Sequence, residues 1–118
     1  MNSFIAHLPK AELHVHLEGT LEPELSFALA QKHGIHLPYA TVEELLAAYD
    51  FHDLPSFLTI YYKAMTVLND EDDFFELTWQ YLQKAASQHV LYTEMFFDPQ
   101  AHTSRGVAFG TILRGIQR

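Results

Sequence analysis

The sequence predicts an α/β fold built on parallel strands, and three observations carry that reading. Residues 11–17 and 90–97 have the patterning of strands. About 70 residues of mostly helical patterning lie between them. Strands joined by a crossover of that length pair in parallel, because an antiparallel pair needs only a short turn.

The elements follow in order. Residues 11–17 alternate small or apolar side chains with polar ones at period two, the mark of a first strand. Thr20 then precedes Leu21, Leu25 and Leu29, an i, i+4, i+8 helical stripe. Pro23 falls in the first turn, where its missing N–H costs nothing. Gly34, after Lys32 and His33, marks a C-terminal stop. Thr41-Val42-Glu43-Glu44 has the form of a capping box and opens a short helix through Leu45 and Leu46. Asp53-Leu54-Pro55 opens another, with Phe57, Ile60, Tyr61, Ala64 and Leu68 on one face. Asn69-Asp70-Glu71 sets acids at the positive end of the next, whose expected buried face is Phe74, Phe75, Thr78, Tyr81, Leu82 and Ala85. Residues 90–97, aromatic and β-favouring, form a second strand expected to be buried on both faces except at Glu94. A last helical pattern of Val107, Ile112, Leu113 and Ile116 runs to Arg118.

Two parallel strands do not complete a sheet. The expectation is therefore that residues 1–118 are part of one larger domain, the alternative being a small α+β domain in its own right. One unit of an eight-stranded β/α barrel takes roughly 30 residues, so this crossover is more than one unit long. Its surplus follows the first strand and sits over the C-terminal mouth of such a barrel, where a lid belongs.

Composition narrows the partners. A chain 48% hydrophobic can fill one compact core. A net charge of −8 with 7 Lys+Arg leaves no electrostatic footprint for nucleic acid or anionic membrane, so a nucleobase would be handled as a small molecule. The absence of cysteine removes thiolate zinc sites and disulfides, and it fits a reducing compartment. No apolar run reaches the length of a membrane span, and residues 1–10 lack the order of a secretory signal. Cytoplasmic localisation is the expectation.

His14-Val15-His16 carries the chemistry. Histidines two apart on a strand share a face, about 6–7 Å apart along it, which suits two imidazoles converging on one metal. A catalytic Zn²⁺ takes about three protein ligands and keeps an open position. This segment supplies two of them.

Leu8-Pro9-Lys10-Ala11-Glu12-Leu13-His14-Val15-His16-Leu17-Glu18-Gly19-Thr20 resembles the opening of the adenosine/adenine deaminase family of the amidohydrolase superfamily. The resemblance continues through Tyr49-Asp50-Phe51, Asp53-Leu54-Pro55-Ser56-Phe57-Leu58 and Leu77-Thr78-Trp79. It extends to Glu94-Met95-Phe96-Phe97-Asp98-Pro99-Gln100-Ala101-His102-Thr103 and so covers essentially the whole chain. It implies a TIM-type (β/α)8 barrel, with this chain as the N-terminal part and extra helices inserted after strand 1. It also implies zinc-dependent hydrolysis of the C6 amino group of an adenine ring, releasing ammonia, as in purine salvage. His14 and His16 are then metal ligands, and His16, Glu18 and Gly19 contact the substrate.

Within the family, Leu17-Glu18-Gly19-Thr20-Leu21-Glu22-Pro23 and Phe96-Phe97-Asp98-Pro99-Gln100 are more similar to the branch acting on free adenine. The adenosine branch usually carries aspartate where this chain has Glu18; that aspartate holds the ribose, and the longer glutamate would crowd it. The alternatives are an adenosine or other aminopurine deaminase, and a non-catalytic truncated fragment. The family's third histidine ligand, catalytic glutamate, second histidine and metal-site aspartate all lie on later strands, so the catalytic residues are unassigned here. Glu12, Glu18 and Glu94 do not stand in for them.

Each candidate has a plainer reading. Glu18 also suits the N-terminus of the following helix, and Gly19 is either a tight turn beside the ligand or a simple connection. Phe51, Phe57, Leu58 and Tyr61 form an apolar lid or ordinary core. Glu94 and Asp98 order the site, or are acids satisfied by backbone donors. His7, His33, His36, His52, His89 and His102 are expected at the surface or as caps, with His33 and His36 the one alternative metal pair. An unprotected edge on residues 90–97 would make an isolated fragment self-associate.

Overall fold

The computed structural model describes residues 2–118. A short helix, α1 (Ser3–His7), leads into β1 (Lys10–His16) and a 3₁₀ turn at Leu17–Thr20. Helices α2 (Pro23–His33), α3 (Val42–Ala47), α4 (Leu54–Ala64) and α5 (Glu71–Ser87) follow, with a second 3₁₀ turn, Met65–Val67, after α4. Strand β2 (Val90–Phe96) then leads to α6 (Pro99–Thr103) and α7 (Phe109–Gln117). The two strands pair in parallel, as the long crossover requires.

Local chemistry sets most boundaries. Pro23 opens α2, and Gly34 closes it in the left-handed conformation at φ 64° that glycine adopts without strain. The Thr41 hydroxyl caps α3 by accepting from the Glu44 N–H. Asp53 and Ser56 form a reciprocal capping box at α4, and Asp70 and Asp73 form another at α5.

The core gathers on one side of the strands. Leu17, Leu21, Leu25, Leu29, Val67, Leu68, Phe74, Leu77 and Ile112 form its centre, with Val15, Val90 and Met95 contributed by the strands. Helices α5 and α7 meet closely. A Cβ at Gly115 would lie 2.5 Å from the Glu71 carbonyl oxygen and 2.7 Å from the Phe74 Cβ, so only glycine fits there.

Several expectations are corrected. Strand β2 is not buried on both faces: Leu91 is 77% exposed, Tyr92 56% and Phe96 46%. Helices cover one face of the pair, and no described element lies over the other. On α5 the buried set includes Leu77 and Asp73, while Leu82 is exposed and Phe75 half-buried, because α7 and the Leu17–Thr20 turn meet α5 along a narrower stripe. No residue of α4 is fully buried; its apolar face borders a cavity, and Leu68 lies beyond the helix in the core.

A cluster of opposite charges ties α2 to α5. The buried Asp73 carboxylate accepts from the Asn69 and Asp70 backbone N–H groups, from Lys32 Nζ at 2.8 Å and from His33 Nε2 at 2.7 Å. Burial alone would raise its pKa, but Lys32, the two N–H groups and His33 together outweigh burial and hold it below the ordinary carboxylate value. A depressed carboxylate contributes stability above its unfolded-state pKa and loses it as pH falls through the folded value. Chemical denaturation at stepped pH is therefore expected to show stability declining below about pH 4. The Asp73→Asn variant should be less stable at neutral pH and show a flatter acid limb.

Candidate functional site

The site begins at the C-terminal end of β1. Between the pairs Glu12↔Thr93 and Val15↔Met95, β1 advances three residues and β2 two. This bulge leaves Glu12 and Val15 on the helix-covered side and Leu13, His14 and His16 exposed. A bulge bends its strand and re-aims the side chains beside it. The His14 and His16 Nε2 atoms stand 3.2 Å apart, with ring centroids at 5.1 Å. Phe96, the strand partner of His16, packs on both rings at 4.8 and 5.7 Å.

That separation suits a shared metal. Two nitrogens each about 2.0–2.1 Å from one tetrahedral zinc lie roughly 3.3 Å apart. Among the described residues no third ligand joins the pair. The one group of three acidic or imidazole ligands among the described residues is His33, Asp70 and Asp73. Lys32 Nζ already bridges both of those aspartates at 2.8 Å, supplying the cation they need. His36 is not part of that group.

Past His16 the chain tightens into the Leu17–Thr20 turn, closed by the Thr20 hydroxyl donating to the Leu17 carbonyl at 2.7 Å. Leu17 anchors the turn in the core and draws Glu18 inward with it. Glu18 is only 4% exposed. Its Oε1 accepts from the Asp98 backbone N–H at 2.7 Å and from His102 Nε2 at 2.8 Å. Its Oε2 is buried with no partner. Gly19 is not in the left-handed region, so the turn does not demand glycine there; a Cβ would stand 3.7 Å from the Tyr61 ring.

Glu18 and Gly19 form part of the wall of a cavity of about 540 Å³. Phe51, Phe57 and Tyr61 line it too, whereas Leu58 does not. These three rings, with Tyr49, make a continuous aromatic wall with centroids 5.1–5.8 Å apart. The volume falls within the ordinary range of small-ligand pockets. Burial, reinforced by the negative charges of Glu18 and Asp98 and by Tyr62, pushes the Tyr61 phenol far above its ordinary pKa. It remains a neutral hydrogen-bond donor. Of the two further acids, Glu94 is exposed and accepts from the Tyr92 hydroxyl, and Asp98 serves through its backbone N–H.

His102 is the main correction. Expected at the surface or as a cap, it is 0% exposed, packed edge-on against Phe74 at 4.9 Å and hydrogen-bonded to Glu18. Arg105 was not singled out by the sequence. Its guanidinium donates to His102 Nδ1, to Asn69 Oδ1 and to the carbonyls of Met65, Thr66 and Leu68. The one sequence sign of this pair is the i, i+3 spacing of His102 and Arg105 just after the helix-starting Asp98-Pro99.

Parallel strands with helices on one side and histidines at the C-terminal end of the first define the opening part of a (β/α)8 amidohydrolase barrel. The chain belongs to the adenosine deaminase family, whose model matches residues 9–118. The adenine deaminase of Wolinella succinogenes is 57% identical over 118 residues, all of this chain and 36% of the relative. That of Vibrio parahaemolyticus is 55% identical over the whole of this chain and 35% of its own length. The crystal structure of adenine deaminase from Arthrobacter aurescens superposes with a TM-score of 0.90 at 55% identity, covering 92% of this chain and 33% of that one. An amidohydrolase from Burkholderia ambifaria, crystallised with bound Zn, gives a TM-score of 0.77 at 27% identity over 98% of this chain and 33% of that one. The chain thus spans about a third of the length of the relatives it matches.

Two imidazoles without a third ligand make an incomplete site. Calorimetric titration of the 118-residue polypeptide with zinc is expected to show weak binding that disappears in the His14→Ala/His16→Ala double variant. Tight binding indifferent to those substitutions would move the metal to His33, Asp70 and Asp73.

Proposed function

We propose that this chain is the N-terminal portion of a single barrel domain that deaminates adenine hydrolytically, giving hypoxanthine and ammonia. The observation that carries the reading is the pair of Nε2 atoms 3.2 Å apart at the end of β1, followed within two residues by a buried carboxylate. That carboxylate also borders the cavity, which Glu12 and Val15 line on the strand side and the histidines do not. Relatives named adenine deaminase, at 52–57% identity over nearly all of this chain, support adenine as the substrate.

His14 and His16 would hold a zinc ion together with ligands from the rest of the protein. Bound zinc supplies the acidity that brings water to a pKa of about 7, the chemistry that hydrolysis of a ring amino group needs. This chain's own residues bind and orient. The aromatic wall of Phe51, Phe57 and Tyr61 stacks against the base and excludes water from it. The unpartnered Glu18 Oε2 accepts from a ring N–H of free adenine. That N–H is absent once a sugar occupies N9, which leaves the carboxylate unpaired and disfavours the nucleoside. Gly19 leaves the cavity wall open beside Glu18, while His16 stands at the strand end outside the cavity lining.

The exposed side of the sheet, with Leu13, His14, Tyr92 and Phe96, faces the remaining strands in this reading. Adenosine is the runner-up substrate, since the matching family model is named for it.

Steady-state kinetics on the full-length protein are expected to favour adenine over adenosine. The Glu18→Asp variant should lose roughly tenfold or more in kcat/KM for adenine. A preference for adenosine would shift the substrate and leave the deaminase reading standing. The 118-residue polypeptide alone is expected to show no loss of adenine absorbance with added zinc, and to self-associate in sedimentation through its uncovered strands. Turnover that survives repurification and vanishes in His14→Ala would overturn the first of these.

A further inference from the structure

We infer that His102, held by Arg105, is a positioning residue that fixes the Glu18 carboxylate for recognition of the base. The inference rests on the reading of Glu18 as a substrate contact, and it goes beyond it by naming what sets the carboxylate's orientation.

The hydrogen bonds determine the proton positions. Arg105 has donors only, so the His102 Nδ1 at 3.1 Å from its Nη2 is the acceptor and carries no proton, sharing the two Nη2 hydrogens with the Met65 and Leu68 carbonyls. The single ring proton of the neutral imidazole is therefore on Nε2, which donates to Glu18 Oε1 at 2.8 Å. The Asp98 N–H fills the remaining direction at the same oxygen. Two donors on Oε1 and none on Oε2 lock the carboxylate with one oxygen used and the other buried without a donor. Leaving a buried carboxylate oxygen bare is costly, and a ligand N–H would offset that cost.

Arg105 is itself over-determined. It donates to the carbonyls of Ala101, Met65, Thr66 and Leu68 and to Asn69 Oδ1, which fixes its plane relative to α6 and to the turn after α4. The imidazole consequently has little freedom to flip. This pattern, in which an outer residue fixes the tautomer and aim of an inner one, is how supporting partners tune binding groups in general.

The test uses the full-length protein. Glutamine places an N–H donor where His102 Nε2 sits, whereas asparagine reaches only as far as Nδ1. His102→Asn is expected to raise KM for adenine roughly tenfold, with the loss in KM rather than in kcat, and His102→Gln should restore most of it. Glu18→Gln should raise KM as well, and the His102→Asn/Glu18→Gln double variant should be no worse than Glu18→Gln alone. In unsubstituted protein, ¹⁵N spectra should show His102 as the neutral tautomer protonated on Nε2, a readout that needs no variant to fold. If Glu18→Gln leaves KM unchanged, the substrate contact falls, and the inference with it. If Glu18→Gln raises KM while the His102 effect is absent or additive, or if the proton is found on Nδ1, the positioning inference alone is overturned.

Discussion

A carboxylate taken out of water must find donors or lose its charge, and Glu18 is the residue through which that constraint organises this chain. Its donors come from the segment after β2, so the end of one strand cannot settle without the end of the other. Asp98 contributes its backbone, His102 its ring, and Arg105 extends the connection to the turn that follows α4. Segments more than 30 residues apart in sequence are thereby joined by polar contacts around one side chain. The apolar core beneath supplies the bulk of the burial, but it is indifferent to direction; the carboxylate network fixes which loops face one another.

The distribution of hydrophobic surface says how the chain is used. Helices α5 and α7 approach until no side chain fits at Gly115, while the opposite side of the strands keeps Leu91, Tyr92 and Phe96 in the open. Density on one side and exposure on the other are what a barrel strand shows when its helical layer is present and its interior neighbours are not. Membership of the adenosine deaminase family and coverage of a third of its relatives' length fit this asymmetry.

The legible parts were those written in local chemistry. Pro23, Gly34, Thr41, Asp53 and Asp70 act within a turn or two of themselves, and their caps appear where the spacing places them. The shared face of His14 and His16 was equally local, since residues two apart on a strand lie on one side. What was hidden depended on distant partners. Nothing within a few residues of His102 reveals that Glu18, 84 positions away, will bury it. Residues 90–97 read as covered on both faces because composition records an affinity for burial and cannot record which neighbours provide it. The aromatic face of α4 likewise has core periodicity, yet Phe57 and Tyr61 face a cavity. Periodicity identifies a face and leaves open whether protein or ligand fills it.

The surplus residue in β1 has a consequence for the spacing of the histidines. Without Leu13, the strand would run Glu12, His14, Val15, His16 in perfect alternation opposite Thr93, Glu94, Met95 and Phe96. Pairing from Glu12 to His16 would be regular, with the other irregularity, between Lys10 and Ala11, left in place. The imidazoles would then sit at the ordinary spacing of strand residues two apart, about 6.6 Å along the chain, without the local kink that helps bring their nitrogens to 3.2 Å. A one-residue deletion there would straighten this stretch of the strand and give up the bend beside the histidines. The irregularity is of the kind expected where function and fold make different demands on the same backbone.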